Sequence, residues 1–327
     1  MITILIALAA GCASALMYAS VVSGVPVSLL LFCLAPLPLM VAALGWGPLS
    51  ATVGGIAAAA ALGALLGLPF CVVFAFTVGV PAWWLGHLVM LGRPIPNSGS
   101  GNGAVQAAPV LEWYPIGRIL LWIAGFAALT TIASLFMLGT DAVAITGALR
   151  ELFVQAIQTM GQRDAIPSSE SDRLIDIMVT IVPITVAIMA TTILTLNLWL
   201  AAKITATSGR LHRSWPDLKR TEMPPMTLVA LCVAIALCFA GGLLAIMAQI
   251  GTAALMMAYA LTGCAVLHTL TLGLKSRLLW LSCTYAVAAM TGGWPVALAM
   301  VVLGLADAVF GFRERYMRGR PPPLPAS

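Results

Sequence analysis

Charge is scarce in this chain. Only 8% of its 327 residues are Asp, Glu, Lys or Arg, against 61% hydrophobic. A soluble domain carries about a quarter of its residues charged, so a water-soluble globule of this size is excluded. Acid is scarcer than base, 11 residues against 16, leaving a formal charge of +5. The basic residues sit in short loops beside apolar runs. There they set membrane topology, and they give no reason to expect a nucleic-acid partner.

Closely spaced cysteines are also lacking. Cys12, Cys33, Cys71, Cys232, Cys238, Cys264 and Cys283 all fall within apolar runs, without the pairing a zinc site or disulfide framework needs. They read as small packing residues, as do the sixteen methionines. HExxH, a P-loop and a usable Ser-His-acid set are missing. The sequence therefore gives no catalytic residue, no metal site and no cofactor, and the chain reads as a non-enzyme. ATP-driven work would need a separate ATPase. The N-terminus has Ala9-Ala10-Gly11-Cys12, similar to a lipoprotein cleavage site. It lacks the basic region of a secretory signal, so residues 3–22 read as a retained helix.

What fills the chain is ten apolar stretches: 3–22, 27–45, 49–67, 70–91, 116–138, 174–201, 226–248, 252–273, 278–291 and 295–312. A bilayer core of about 30 Å takes roughly 20 apolar residues per helix. Backbone polar groups inside it must be satisfied within the segment, which favours helix. The expected fold is all-α: a polytopic integral membrane bundle of about ten transmembrane helices plus one external amphipathic helix. Stretch 278–291 is short and is either a tilted crossing or a re-entrant segment. With ten crossings and the N-terminus inside, only Arg150, Arg163 and Arg173 lie outside, leaving thirteen of the sixteen basic residues inside. The positive-inside rule selects this arrangement, with both termini cytoplasmic.

Residues 92–114, rich in Gly, Pro, Ser and Asn, predict a flexible cytoplasmic linker between a four-helix part (1–91) and a six-helix part (115–312). Trp113 and Tyr114 are expected at headgroup level. Residues 313–327 form a cytoplasmic tail. Within the external segment 139–173, Leu149, Leu152, Phe153, Ala156, Ile157 and Met160 recur at helical spacing. This predicts an amphipathic helix, capped by Thr140 or Asp141, that lies on the membrane surface or lids the bundle. Glu170, Asp172 and Asp176 cluster at the start of the next helix, where its dipole favours negative charge.

Four inward-running stretches each carry one polar residue near the inner end: His87, Asn197, His268 and Asp307. Each lies six or seven residues before a basic one, about 9–10 Å along a helix. If they converge they make a polar layer able to exchange a proton, bind a metal or hold a charged group. The alternative is that each bonds a neighbour or snorkels. Asp307 needs a partner, and His268 and Arg313 are the candidates. His87, Asn197, His268, Asp307 and Arg313 are thus the candidate substrate-binding set.

Gly45-Trp46-Gly47-Pro48 leading into Ala51, Gly54 and Gly55, the small-residue first stretch with Ala9 and Ala13, and Gly304-Leu305-Ala306-Asp307 followed by Arg313 and Arg315 resemble the YybS-like family of bacterial multi-pass membrane proteins. That family is considered distantly related to the substrate-binding S-components of energy-coupling-factor transporters. The resemblance implies a transport-type fold, location in a bacterial inner membrane, a small-molecule substrate of unknown identity and a separate energising partner. It also implies a solute cavity on the outer side, which residues 139–172 would roof. Ten crossings exceed the six of an S-component, and the polar layer here is inner. The competing reading is a non-enzymatic membrane scaffold that contacts partners through 203–220 and the tail. An intramembrane enzyme would need His87, His268 and Asp307 within a few ångströms of one another.

Overall fold

A computed structural model describes residues 1–95, 110–159, 168–215 and 221–318. In chain order its elements are α1 (Ile2–Ala19), α2 (Pro26–Cys33), α3 (Pro36–Trp46), α4 (Pro48–Leu66), α5 (Leu68–Phe74), α6 (Val80–Val89), β1 (Gly92–Ile95), β2 (Val110–Trp113), α7 (Ile116–Phe136), α8 (Ala142–Thr159), α9 (Ser168–Thr207), α10 (Pro225–Leu237), α11 (Gly242–Leu270), α12 (Arg277–Met290), α13 (Trp294–Phe310) and α14 (Phe312–Arg318). A π-helical turn, Ala75–Gly79, joins α5 to α6. Pro81 has no N–H to offer the carbonyl four residues earlier, which favours this local widening.

Seven segments among the described residues are long and apolar enough to cross a membrane. Three shorter apolar helices, α10, α12 and α13, account for the remaining sequence-defined stretches. All ten stretches are therefore helical, but length and composition admit seven as spans. The boundary moves most at 226–248. There α10 stops at Leu237, and Gly241 and Gly242, at φ +75° and +59°, turn the chain into α11. Apolar residues on both sides of the turn conceal it from a hydropathy reading.

The segment read as a flexible linker is ordered at both ends. β1 and β2 pair antiparallel, Gly92 opposite Trp113 and Arg93 opposite Glu112. Arg93 Nε donates to Glu112 Oε2 at 2.7 Å. The pair is exposed and worth under about 1 kcal/mol. Residues 96–109 lie outside the described ones.

Two compact units can be distinguished, each made of two stretches of sequence. Unit 1 comprises Met1–Ile123 and Ile193–Pro216; unit 2 comprises Ala124–Thr192 and Asp217–Ser327.

In unit 1 the centre is α3, whose Leu39, Met40, Ala43 and Leu44 are fully buried. It contacts α1, α4 and α6. Small residues set the spacing. A Cβ on Gly11 would sit 2.3 Å from the Gly54 carbonyl oxygen, and one on Gly86 would sit 2.4 Å from the Ala43 Cβ. The close-contact stripe on α1 is Ala7, Gly11 and Ala15, all buried, whereas Ala9 is exposed. Tyr18 fills the opposite end, 5.2 Å from the rings of both Phe32 and Phe74.

In unit 2, α11 packs along α13, with α10 on α11. Backbones touch there: a Cβ on Gly263 would lie 1.9 Å from the Met300 carbonyl oxygen, and one on Gly304 2.1 Å from that of Tyr259. The amphipathic helix forms as α8, and Asp141 is its cap, Oδ1 accepting from the Ala144 N–H at 2.8 Å. Of its apolar stripe, Leu149 is buried together with Ile145, while Leu152 is 51% exposed. Met160 lies outside the described residues. Arg150 on α8 pairs with Asp176 at 2.6 Å and Asp172 at 3.6 Å, so these two carboxylates hold a cation as well as facing a helix start.

Large aliphatic side chains stand exposed along the helices: Leu16 68%, Ile56 67%, Leu65 81%, Leu278 84% and Met290 87%. In water such patches would drive aggregation. Against lipid tails they carry no such cost.

Candidate binding cavity

Asp307 lies on the last turn of α13. Gly311 follows at φ +62° and its N–H donates to the Asp307 carbonyl at 2.8 Å, closing the helix. Only glycine enters this left-handed conformation without strain. The turn returns α14 over the Asp307 side chain. Oδ1 accepts the Arg313 backbone N–H at 2.9 Å; Nε and Nη2 of Arg313 both reach Oδ2 at 2.7 Å. The carboxylate thus caps α14 and neutralises Arg313 at once, with the two side chains only 5–6% exposed. Of the two sequence-derived partners for Asp307, the structure selects Arg313.

This pair forms the floor of a cavity of about 470 Å³ within unit 2. Tyr259 and Thr262 of α11 and Gly304 of α13 make its inner wall, and Glu222, Glu314 and Arg315 bring further charge. Glu222 and Arg315 are exposed and take no ion-pair partner among the described residues. Tyr259 Oη lies 3.0 Å from Thr227 Oγ1, which holds the ring in place behind the floor. Three carboxylates and two guanidiniums therefore line one space, with Asp307 and Arg313 paired at its buried side and Glu222 and Arg315 exposed at its rim.

The other sequence-derived site residues have different neighbours. In unit 1 the Asn197 amide donates to the carbonyls of Cys33 and Ile193, both at 2.8 Å. The Cys33 carbonyl is left open because Pro36 has no N–H and Leu37 N–H bonds Leu34 instead. Asn197 thus satisfies a proline break between α2 and α3. Replacing Asn197 with Leu should destabilise the fold by about 1–2 kcal/mol, measurable as a lower unfolding temperature in detergent. His87 stacks near Trp83, ring centroids 6.3 Å apart, and adjoins Trp84. In unit 2, His268 Nδ1 bonds the Cys264 carbonyl at 3.0 Å and its ring lies 6.1 Å from Tyr285. His268 and Asp307 are therefore not a bonded pair.

The cavity opens where α13 ends, and among the described residues none of its lining comes from 139–173. The roofed outer cavity implied by the family resemblance is not the one described here. Sequence reasoning missed Glu222, Tyr259, Thr262 and Arg315. Tyr259 and Thr262 were legible in principle as polar residues mid-helix in α11; Glu222 was hidden by the basic run before it.

Among the described residues, seven helical segments long and apolar enough to cross a membrane, many exposed aliphatic side chains and very little strand define a helical membrane protein. Comparisons with protein-family models, curated proteins and solved structures find no match.

Proposed function

We propose that this is a ten-crossing inner-membrane protein, both termini cytoplasmic, that binds a small zwitterionic solute in the Asp307 cavity as part of a transport cycle. The single observation carrying the reading is a cavity of about 470 Å³ with unpaired charges of both signs, Glu222 and Arg315, above a buried ion pair. That volume suits a small molecule. Opposed rim charges suit a ligand bearing both an ammonium and a carboxylate. The reading includes no catalytic step. It places the protein with the YybS-like family, and the residues carrying that resemblance stand at decisive places. Gly47-Pro48 turns α3 into α4, Gly54 is where α1 touches α4, and Asp307 holds Arg313. A separate energising protein would drive any uphill step.

The experiment is thermal unfolding of the purified chain against a panel of amino acids and betaines, with native mass spectrometry for solute that co-purifies. One or more zwitterions should stabilise the wild type. Arg315→Gln and Glu222→Gln should each weaken that ligand about tenfold, the scale of one charge-assisted hydrogen bond. Ala308→Trp, from an exposed position on the cavity wall, should remove binding. No stabilising zwitterion and no retained solute would overturn the reading.

A further inference from the structure

Within unit 1, charge is confined to one end. The loops at the far ends of α1 and α4, residues 20–25 and 66–68, carry no charged residue. The end formed by the α3–α4 turn, the β1–β2 ladder, the start of α7 and the end of α9 carries Arg93, Arg118, Lys203, Arg210 and Arg213 against one acid, Glu112. Glu112 is taken by Arg93. Arg118, Lys203 and Arg210 are exposed and have no acidic partner among the described residues.

Tryptophans lie against Arg210, Lys203 and Arg213. Gly209, at φ +67°, ends α9, and the Arg210 and Leu211 N–H groups return to the Thr205 carbonyl at 2.9 and 3.1 Å. That turn lays the Arg210 guanidinium over Trp46, 4.8 Å from the ring centroid. Lys203 Nζ stands 5.3 Å from the Trp215 ring. Arg213 is the buried peg: it donates to the carbonyls of Val89 at 3.2 Å and Tyr114 at 3.1 Å and lies 5.9 Å from the Trp113 ring. Burial pulls its guanidinium below the usual arginine range. A guanidinium stacked by its face keeps its N–H edge free, the edge that reads phosphate. At this end Leu49, in the first turn of α4, Leu91, which precedes β1, and Trp215 are exposed.

We propose that this end of unit 1 is a docking surface for the phosphate headgroups of anionic phospholipid, with Arg118, Lys203 and Arg210 as the contacting cations. Apolar side chains and tryptophans interleaved with unpaired, pre-positioned cations match the chemistry of a headgroup layer, and the flanking helices α3, α6 and α9 bring that layer to them. Arg213 positions the 208–215 segment and is not itself a contact. The proposal stands apart from the cavity of unit 2.

The test uses the full purified chain in nonionic detergent, titrated with palmitoyl-oleoyl phosphatidylglycerol or the matching phosphatidylcholine and read by native mass spectrometry. Each cation near an anionic headgroup contributes about fivefold, so phosphatidylglycerol should bind about a hundredfold tighter than phosphatidylcholine. At about 1 M salt, where the screening length falls to roughly 3 Å, most of that preference should vanish. The combined Arg118→Gln, Lys203→Gln and Arg210→Gln variant should bind the two lipids equally. Equal binding by the wild type, or an unchanged preference in the variant, would overturn the proposal. The wild-type comparison decides the matter even if the variant folds poorly.

Discussion

Replacing Gly263 with leucine is expected to abolish the folded state of unit 2. Even a single added Cβ would fall 1.9 Å from the Met300 carbonyl oxygen, well inside van der Waals contact. That obstacle is backbone, so no rotamer change relieves it, and α11 and α13 must separate. Gly304 faces the same restriction from the opposite helix, 2.1 Å from the Tyr259 carbonyl oxygen. Separation removes the burial of Val266, Met300 and Val301 and opens the floor beneath Asp307. Overpacking of this kind usually costs about 1–3 kcal/mol where the core can shift. Backbone-on-backbone contact leaves less room, and a loss beyond about 4 kcal/mol is expected. Gly263→Leu should elute as aggregate in size-exclusion chromatography, whereas Gly125→Leu, where a Cβ meets nothing within 4 Å, should elute as the wild type does. Equal behaviour of the two variants would mean that α11 and α13 do not pack as described.

Removing one member of the Asp307–Arg313 pair should have the second largest effect. Arg313→Met leaves a carboxylate 5% exposed with its cation gone. Such an uncompensated buried charge costs about 3–5 kcal/mol. Converting both members to apolar residues, Asp307→Leu with Arg313→Met, should recover most of that loss, because neither charge then needs desolvating. Recovery stays incomplete: the Arg313 backbone N–H, which Oδ1 accepts at 2.9 Å, loses its cap, a cost of about 1 kcal/mol. Thermal unfolding in detergent should therefore rank wild type above the double variant and the double variant above Arg313→Met. A single variant as stable as the wild type would show that the pair is not buried as described.

How much of this was legible in the chain follows from which forces act locally. Helix and its apolar stretches were readable because the bilayer leaves the backbone one local solution, and composition reports that directly. The Asp141 cap and the amphipathic stripe of α8 were readable for the same reason: both depend on neighbours within one or two turns. The break at Gly241-Gly242 was not, since hydropathy averages over it. The β1–β2 pairing at the ends of the 92–114 segment was not legible, because Arg93 and Glu112 recognise each other across nineteen positions. For the site, a carboxylate in an apolar helix announced that Asp307 needs a partner. It did not announce which one. The choice fell to Arg313 because Gly311 turns the chain back, a contact six residues away in sequence. Asn197 was read as part of a polar layer, but its partner, Cys33, is 164 positions distant and open only because of Pro36. Tyr259 and Glu222 meet only after α10, α11 and α13 have packed.

The helices α10 and α12, at 13 and 14 residues, make the number of crossings the central point. Each extends about 20 Å, shorter than a hydrocarbon core of about 30 Å, so each crosses only where the layer thins or interfacial residues complete the span. Single cysteines introduced into a cysteine-free background at Ser23, Ser208, Ala240, Ser276 and Gly292 decide it, labelled in intact cells with a membrane-impermeant maleimide. Ten crossings with a cytoplasmic N-terminus predict labelling at positions 23, 240 and 292 and protection at 208 and 276 until the cells are permeabilised. Protection at 240 or 292, or labelling at 208 or 276, would contradict the account.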